Sequence, residues 1–180
     1  MSKILVDTID TRSGTTNLTI GSTNSSTVTF ENGAVTGHMY PAFEAYLSSD
    51  QTVTSGTITK VEHDTEDFDT DNCYDNTTNY RFTPTVAGKY YVYATVRGST
   101  SASSLDLEMT AIYKNGSSYA ENQVDYRNND AQLAGITVCA IVDMNGSSDY
   151  LECYARCLGG TTLKSSPTRC SVFGAYRIGT

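Results

Sequence analysis

The residues best suited to chemistry in this chain are six carboxylates that fall within the ten residues 62–71. The last three follow an Asp-x-Asp-x-Asp pattern, at Asp67, Asp69 and Asp71. This oxygen-ligand spacing begins a calcium-binding loop, but such a loop requires glycine at its sixth position and a bidentate glutamate at its twelfth. Asn72 and Thr78 stand there instead. A calcium site is therefore one expectation for these aspartates, and a solvated acidic loop that holds no ion is the other.

Cysteine and histidine offer little for catalysis or for a transition-metal site. The chain has five cysteines and two histidines, and only Cys153 and Cys157 lie close together in sequence. Their spacing fits neither a redox motif nor a zinc knuckle. No serine-hydrolase, metalloprotease or phosphate-loop motif occurs. We therefore expect reduced thiols buried in strands, no enzymatic activity and, apart from calcium, no cofactor.

Tyrosine and asparagine side chains suggest a surface that binds carbohydrate, because they supply stacking area and hydrogen bonds. The candidate receptor contacts are Tyr119, Asn122, Tyr126 and Asn128. The alternative is that these tyrosines pack against another copy of the chain. The sequence does not separate the two interpretations.

The charge balance excludes several partners. With 12 basic and 20 acidic residues the chain has a net charge of −8, which disfavours nucleic acid and anionic membranes. Outside residues 62–71, 14 acids face 12 bases, so the acidity is concentrated in one segment. No apolar run is long enough to enter and cross a bilayer. Residues 1–14 lack the apolar stretch of a secretory signal, so we expect synthesis in a cytosol.

The segments that position these groups are predicted to be β-strands, since threonine and tyrosine are abundant and alternate with apolar residues. The predicted strands are 42–47, 57–62, 80–84, 88–97, 105–114, 118–125, 133–144, 150–157 and 170–178. Many short strands at this spacing are typical of an all-β sandwich or barrel. Both faces of residues 88–96 are apolar or aromatic, which predicts a strand between the core and a second surface such as a subunit interface.

Residues 1–37 are predicted to be a separate N-terminal segment, and residues 38–180 to be the head domain. The segment holds short apolar pairs separated by turns, too few for a core of its own. An intertwined trimeric β stalk would bury these pairs, and a disordered tail is the alternative. At its start, Ile4, Val6 and Ile9 form an apolar patch suited to docking on another protein's sheet edge.

A series of motifs follows in a distinctive order over residues 41–178. The motifs are Pro41-Ala42-Phe43-Glu44-Ala45, Tyr74-Asp75, Phe82-Thr83-Pro84, Gly88-Lys89-Tyr90-Tyr91-Val92-Tyr93, Lys114-Asn115-Gly116, the apolar strand 136–142, Asp149-Tyr150-Leu151 and Ser171-Val172-Phe173-Gly174-Ala175-Tyr176. This order resembles the globular-head family of complement component one-q, which shares the jelly roll of tumour necrosis factor. The resemblance implies a ten-stranded, two-sheet jelly roll that forms homotrimers. The aromatic residues expected in core or trimer packing are Phe43, Tyr91, Tyr93, Phe173 and Tyr176.

The N-terminal sequences ILVDTI, at residues 4–9, and SGTTNLTI, at residues 13–20, resemble segments of phage structural proteins. This second resemblance implies a bacteriophage virion fibre or spike. Its N-terminus would dock on other virion proteins, and its head would face a host glycan or receptor. A capsid-decorating protein that stabilises the shell is one alternative. A secreted complement-like binding module is another.

Overall fold

The computed structural model describes residues 40–101, 104–129, 131–167 and 169–179, and these residues form thirteen β-strands. The strands are β1 (Ala42–Tyr46), β2 (Gln51–Thr52), β3 (Thr59–Lys60), β4 (Thr65–Asp69), β5 (Tyr74–Asp75), β6 (Arg81–Phe82), β7 (Gly88–Ser99), β8 (Leu107–Lys114), β9 (Ser117–Asp125), β10 (Leu133–Met144), β11 (Leu151–Leu158), β12 (Thr162–Leu163) and β13 (Val172–Gly179). Among these residues there is no helix long and apolar enough to cross a membrane. The predicted stalk and the anchoring residues Ile4, Val6 and Ile9 lie outside the described residues.

The strands form two antiparallel sheets. In the first sheet, β10 pairs with one edge of β7, and β13 and β12 pair with different stretches of its other edge. Strands β1 and β4 follow beyond β13, and β2 follows beyond β12. The second has the order β5-β6-β11-β8-β9, and β3 also pairs with β11. Most neighbours within a sheet are distant in sequence, which is the crossover pattern of a jelly roll. The predicted all-β, two-sheet class is confirmed.

The core lies between the two sheets. Side chains alternate between the two sides of a strand. The residues of β7 that face the core are fully buried, namely Tyr90, Val92, Ala94 and Val96. On β10 the residues Ala134, Ile136, Val138, Val142 and Met144 face the core and are buried, with at most 8% of their surface exposed. The inner side of the first sheet is therefore apolar along the full length of its two longest strands.

An aromatic cluster joins the two sheets across the core. The Phe43 ring of β1 stacks on Tyr74 and Phe82 of the second sheet, with ring centroids 4.6 and 4.5 Å apart. Phe173 of β13 meets Phe43 edge to face at 5.1 Å. Aromatic pairs at such distances contribute about 0.5–1.5 kcal/mol each beyond their burial. Of the five aromatic residues predicted in core or trimer packing, Phe43 and Phe173 thus lie in the core.

The acidic segment is not the continuous loop that its composition predicted. Residues Thr65–Asp69 form β4, which pairs with β1 and has a register shift between Glu44 and Ala45. Backbone hydrogen bonds to β1 form this strand, and such bonds do not depend on the identity of the side chains. The acidic composition of residues 62–71 therefore did not indicate this strand.

The five cysteines are free thiols. Cys153 and Cys157 of β11 are fully buried, as is expected of small apolar side chains in strands. Cys139 departs from that expectation, because it lies on the outer side of β10 and is exposed.

Glu108 is a carboxyl group enclosed between the sheets. It is fully buried on β8, and its Oε2 accepts a hydrogen bond from the Cys157 thiol at 2.8 Å. Its Oε1 has no partner among the described residues. Burial raises the pKa of Glu108 to about 8, against the opposing effect of hydrogen bonds from Cys157 and from the backbone of Gly98. The native protein therefore holds this carboxyl protonated at neutral pH.

Replacing Glu108 with glutamine should remove a pH dependence of folding stability. The unfolded carboxyl loses its proton near pH 4.5, whereas the folded one keeps it up to about pH 8. The native state is thus favoured fully below the lower value, and this advantage is lost as the pH rises through the higher one. Relative to Glu108→Gln, we expect the wild type to lose up to about 5 kcal/mol of unfolding free energy over this range.

Chemical denaturation of both proteins at a series of pH values measures this difference. Glu121→Gln is the matched control, because Glu121 is an exposed carboxylate on β9. Wild-type and Glu108→Gln stabilities that run parallel with pH would contradict the protonated, buried state of Glu108.

Candidate functional site

The first sheet presents aromatic and apolar side chains on the side opposite the core. Alternation along β7 and β13 turns Tyr91, Tyr93 and Tyr176 outward, where they are partly exposed. The Tyr91 ring lies 5.4 Å from that of Tyr176 and 6.1 Å from that of Tyr93. On the flanking strand β10, Ile141 is 56% exposed and Leu133 is 42% exposed. Leu133 pairs with Ser99 at the far end of β10, so we call the surface formed by Tyr91, Tyr93, Tyr176 and Ile141 the tyrosine face.

Tyr93 is positioned in the tyrosine face by a glycine. Gly174 of β13 pairs with Tyr93 in the sheet register, and a Cβ atom added to Gly174 would overlap the Tyr93 ring. The ring therefore lies across Gly174, and its hydroxyl donates a hydrogen bond to the Glu44 carboxylate on β1. Such a close approach of a ring to the backbone requires glycine in the strand.

Glu44 continues this row of polar contacts across the sheet. It forms an ion pair with Arg169, which also pairs with Asp67 of β4 at 2.9 Å. The Arg169 guanidinium lies over the Tyr46 ring, 5.6 Å from its centroid. Burial raises the pKa of Tyr93, so its hydroxyl remains a donor to Glu44. The tyrosine face is thus bordered on its β1 and β4 side by a fixed network of charges.

The three aspartates predicted as calcium ligands contact groups of the chain itself. Asp67 is held in the ion pair just described. Asp69 accepts the backbone N–H of Tyr74 at 2.7 Å, and Asp71 accepts the Thr85 hydroxyl. In the described ranges, no group of three or more His, Cys, Asp or Glu side chains is arranged to hold a metal ion. The calcium site stays a prediction from the sequence pattern alone.

Two of the predicted receptor contacts join the edges of the two sheets. The Tyr119 hydroxyl donates to the Ile141 carbonyl, and the Asn122 amide to the Thr137 carbonyl, both at 3.0 Å. Because β10 pairs with β7 along one edge only, these side chains of β9 satisfy carbonyl groups on its other edge. Tyr119 and Asn122 therefore close the sandwich on this side, although both remain exposed.

The other two predicted contacts lie beyond the end of β9. Tyr126 is half-buried against the core, and its backbone N–H donates to the Asp106 carbonyl at 2.7 Å. Asn128 is exposed in the turn that follows. The four residues are spread along β9 and its following turn, so they do not converge on one pocket. Their role in receptor binding stays a prediction.

His63 is a buried polar residue that sequence analysis did not single out. It is fully buried, and neither ring nitrogen has a hydrogen-bond partner among the described residues. Burial lowers its pKa to about 3, so the imidazole is neutral. Its ring lies 5.9 Å from that of Phe173. The side chain fills the core, and no sequence signal separates such a histidine from a functional one.

Comparison with known proteins places this arrangement among known folds. No family model matches the chain, and no curated protein matches it by sequence. A crystal structure of murine APRIL at pH 5.0 superimposes with a TM-score of 0.58 and 9% identity, over 76% of this chain and 98% of that one. The chain has the jelly-roll fold of the TNF and C1q proteins.

Two further structures extend the likeness to both branches of this fold. Eiger TNF from S. frugiperda has a TM-score of 0.56 and 12% identity, over 78% of this chain and 93% of its own. The globular domain of zebrafish complement 1qA has a TM-score of 0.55 and 14% identity, over 77% and 97%. Three structures thus match over nearly their whole length, at identities that establish the TNF/C1q jelly roll as a fold and nothing narrower.

Replacing Gly174 with alanine should destabilise the head by about 1–3 kcal/mol, because the new methyl group displaces the Tyr93 ring and strains the packing around it. Urea denaturation measures this loss. Gly135→Ala is the matched control, since the heavy atoms nearest to a Cβ at Gly135 lie 3.9 Å away. Equal stability changes in the two variants would show that Gly174 does not hold the Tyr93 ring in place.

Proposed function

We propose that this chain is a non-enzymatic subunit that assembles into a homotrimer through the tyrosine face. The observation that carries the proposal is the exposure of Ile141, which is the most exposed large apolar side chain in the described part of the chain. Tyr91 is its partner in the sheet register, and Tyr93 and Tyr176 extend the aromatic area on the β7 and β13 side. Clusters of this kind mark protein interfaces, because burying them removes apolar surface from water.

The composition of the face also supports an interface between protein subunits. Interfaces are enriched in tyrosine and poor in charge at their centre, with a polar rim. The tyrosine face has this arrangement, since the ion pairs of Glu44, Arg169 and Asp67 lie to one side of it. These fixed charges would orient an incoming copy. The number three rests on the resemblance of the ordered motifs to complement-type heads.

We infer further that the trimer is the exposed head of a bacteriophage fibre or spike. The support is the likeness of residues 4–20 to N-terminal segments of phage structural proteins. Residues 1–37 would attach the trimer to other virion proteins, and the heads would contact a host glycan or receptor. Three weak sites on one trimer bind a surface far more tightly than one site does.

Ile141→Asp should convert the trimer into a monomer, because assembly would bury an unpaired carboxylate from every subunit. Light scattering of the full chain at micromolar concentration should give the mass of three 19.5 kDa chains for the wild type and of one chain for the variant. The matched control is Ile58→Asp, which changes an exposed isoleucine in the loop before β3 and should stay trimeric. A monomeric wild type, or a trimeric Ile141→Asp, would refute the interface.

The virion role is tested on phage particles that carry the chain. Antibodies against residues 38–180 should label intact particles in electron micrographs. Deleting residues 1–37 should remove the protein from particles and lower their adsorption to host cells. If the deletion removes the protein and adsorption is unchanged, the capsid-decorating alternative is favoured. A protein found in the culture medium and absent from particles would favour the secreted binding module.

A further inference from the structure

A polar cavity of about 410 Å³ opens beside the β5–β6 hairpin of the second sheet. Glu66 of β4, the edge strand of the first sheet, lines one wall. Arg81 and Thr83 line another, and Asn72 and Asn76 contribute from the loops on either side of β5. This cavity is separate from the tyrosine face, since none of the four residues that define that face lines it.

The loop that borders the cavity is held in shape by Asp75. Its carboxylate accepts the backbone N–H groups of Thr77, Thr78 and Asn79 at 3.1, 2.9 and 3.1 Å, together with the Asn79 amide at 2.7 Å. These hydrogen bonds, that from Thr78 first, hold the pKa of Asp75 well below its usual range. The carboxylate of Asp75 is thus fully engaged, and the loop is ordered before any ligand arrives.

Two oppositely charged side chains of the cavity remain available to a ligand. The Glu66 carboxylate has no hydrogen bond or ion pair with any described residue, and burial together with Asp69 raises its pKa. Arg81 likewise has no ion pair within the described ranges, and its guanidinium lies over the Tyr150 ring at 4.6 Å. Both line one cavity, and they do not pair with each other.

The groups left free define the chemistry of a ligand. A carboxylate accepts and a guanidinium donates, and a carboxamide such as that of Asn72 does both. A ligand with vicinal hydroxyl groups complements all three kinds of group, because each hydroxyl can both donate and accept a hydrogen bond. The charges of Glu66 and Arg81 cancel, and the Asp75 carboxylate, which is already saturated by hydrogen bonds of its own loop, leaves a net negative charge that disfavours an anion. The polar lining disfavours an apolar ligand.

We propose that this cavity binds a neutral saccharide. The proposal deepens the host-attachment role and rests on it for its biological meaning, because a saccharide on the host surface would be the ligand. A sugar hydroxyl would donate to Glu66, and a neighbouring oxygen would accept from Arg81. The ligand would then bridge Glu66, which has no hydrogen bond or ion pair with any described residue, and Arg81, whose guanidinium lies over the Tyr150 ring but has no ion pair within the described ranges.

Saturation-transfer NMR on the full chain, with methyl glycosides of glucose, galactose, mannose and N-acetylglucosamine as probes, tests the site. We expect at least one glycoside to bind. Glu66→Gln and Arg81→Gln should each weaken that binding by about tenfold, because each removes a charged hydrogen-bonding group. Glu121→Gln and Arg127→Gln are matched controls that change exposed groups on or just after β9 and should bind as the wild type does.

Light scattering on the same samples separates this proposal from the assembly. A trimer that binds none of the four glycosides, or that binds one equally well after Glu66→Gln and Arg81→Gln, overturns the saccharide site and leaves the trimer standing. Displacement of the bound sugar by glycine would show that a zwitterion is the preferred ligand, and it would also overturn the proposal. A monomer that binds the sugar through Glu66 and Arg81 would retain the site and refute the assembly.

Discussion

Strand β7 is hydrogen-bonded to β10 along one edge and to β13 and β12 along the other, over residues 89–99. This double pairing fixes which side chains point inward. Tyr90 and Val92 fill the core, and Tyr91 and Tyr93 face away from it. A slip of one residue would exchange the two sets and expose the core. The register that builds the sandwich therefore also builds the tyrosine face.

On the outer side of the same sheet, the packing of Tyr93 against Gly174 positions the charged groups that border the tyrosine face. Tyr93 reaches Glu44 only because Gly174 leaves room for its ring, and Glu44 in turn holds Arg169. In the proposed trimer, the apolar area around Ile141 would supply the gain from burial, and the ion pairs at its border would favour one orientation of a neighbouring copy. At the free edge of β10 in this sheet, Tyr119 and Asn122 of β9 donate to the carbonyl groups of Ile141 and Thr137. They limit its pairing with other chains.

The long strands could be predicted from the sequence because eight or more residues rich in apolar, aromatic and threonine side chains between turn residues are a clear signal, as in β7, β8, β10, β11 and β13. The five strands of two residues, β2, β3, β5, β6 and β12, are too short to show any period, so they were missed or placed with wrong bounds. The sequence also predicted that residues 88–96 lie between the core and a second surface, and it left open whether Tyr91 and Tyr93 face the core or that surface. It did not predict the Glu44–Arg169 pair, since tertiary structure alone brings these distant residues together. The polar cavity could not be predicted either, because tertiary structure brings together β4, β6 and the two loops that line it.

The central claim is that the tyrosine face is the contact between three copies of this chain. An experimentally determined structure of the full chain in solution, by cryo-electron microscopy or crystallography with matching solution mass, tests it most directly. We expect three heads around one threefold axis, with Ile141 and Tyr91 of each buried against a neighbouring copy. Heads that associate through another surface and leave Ile141 in solvent would contradict the account.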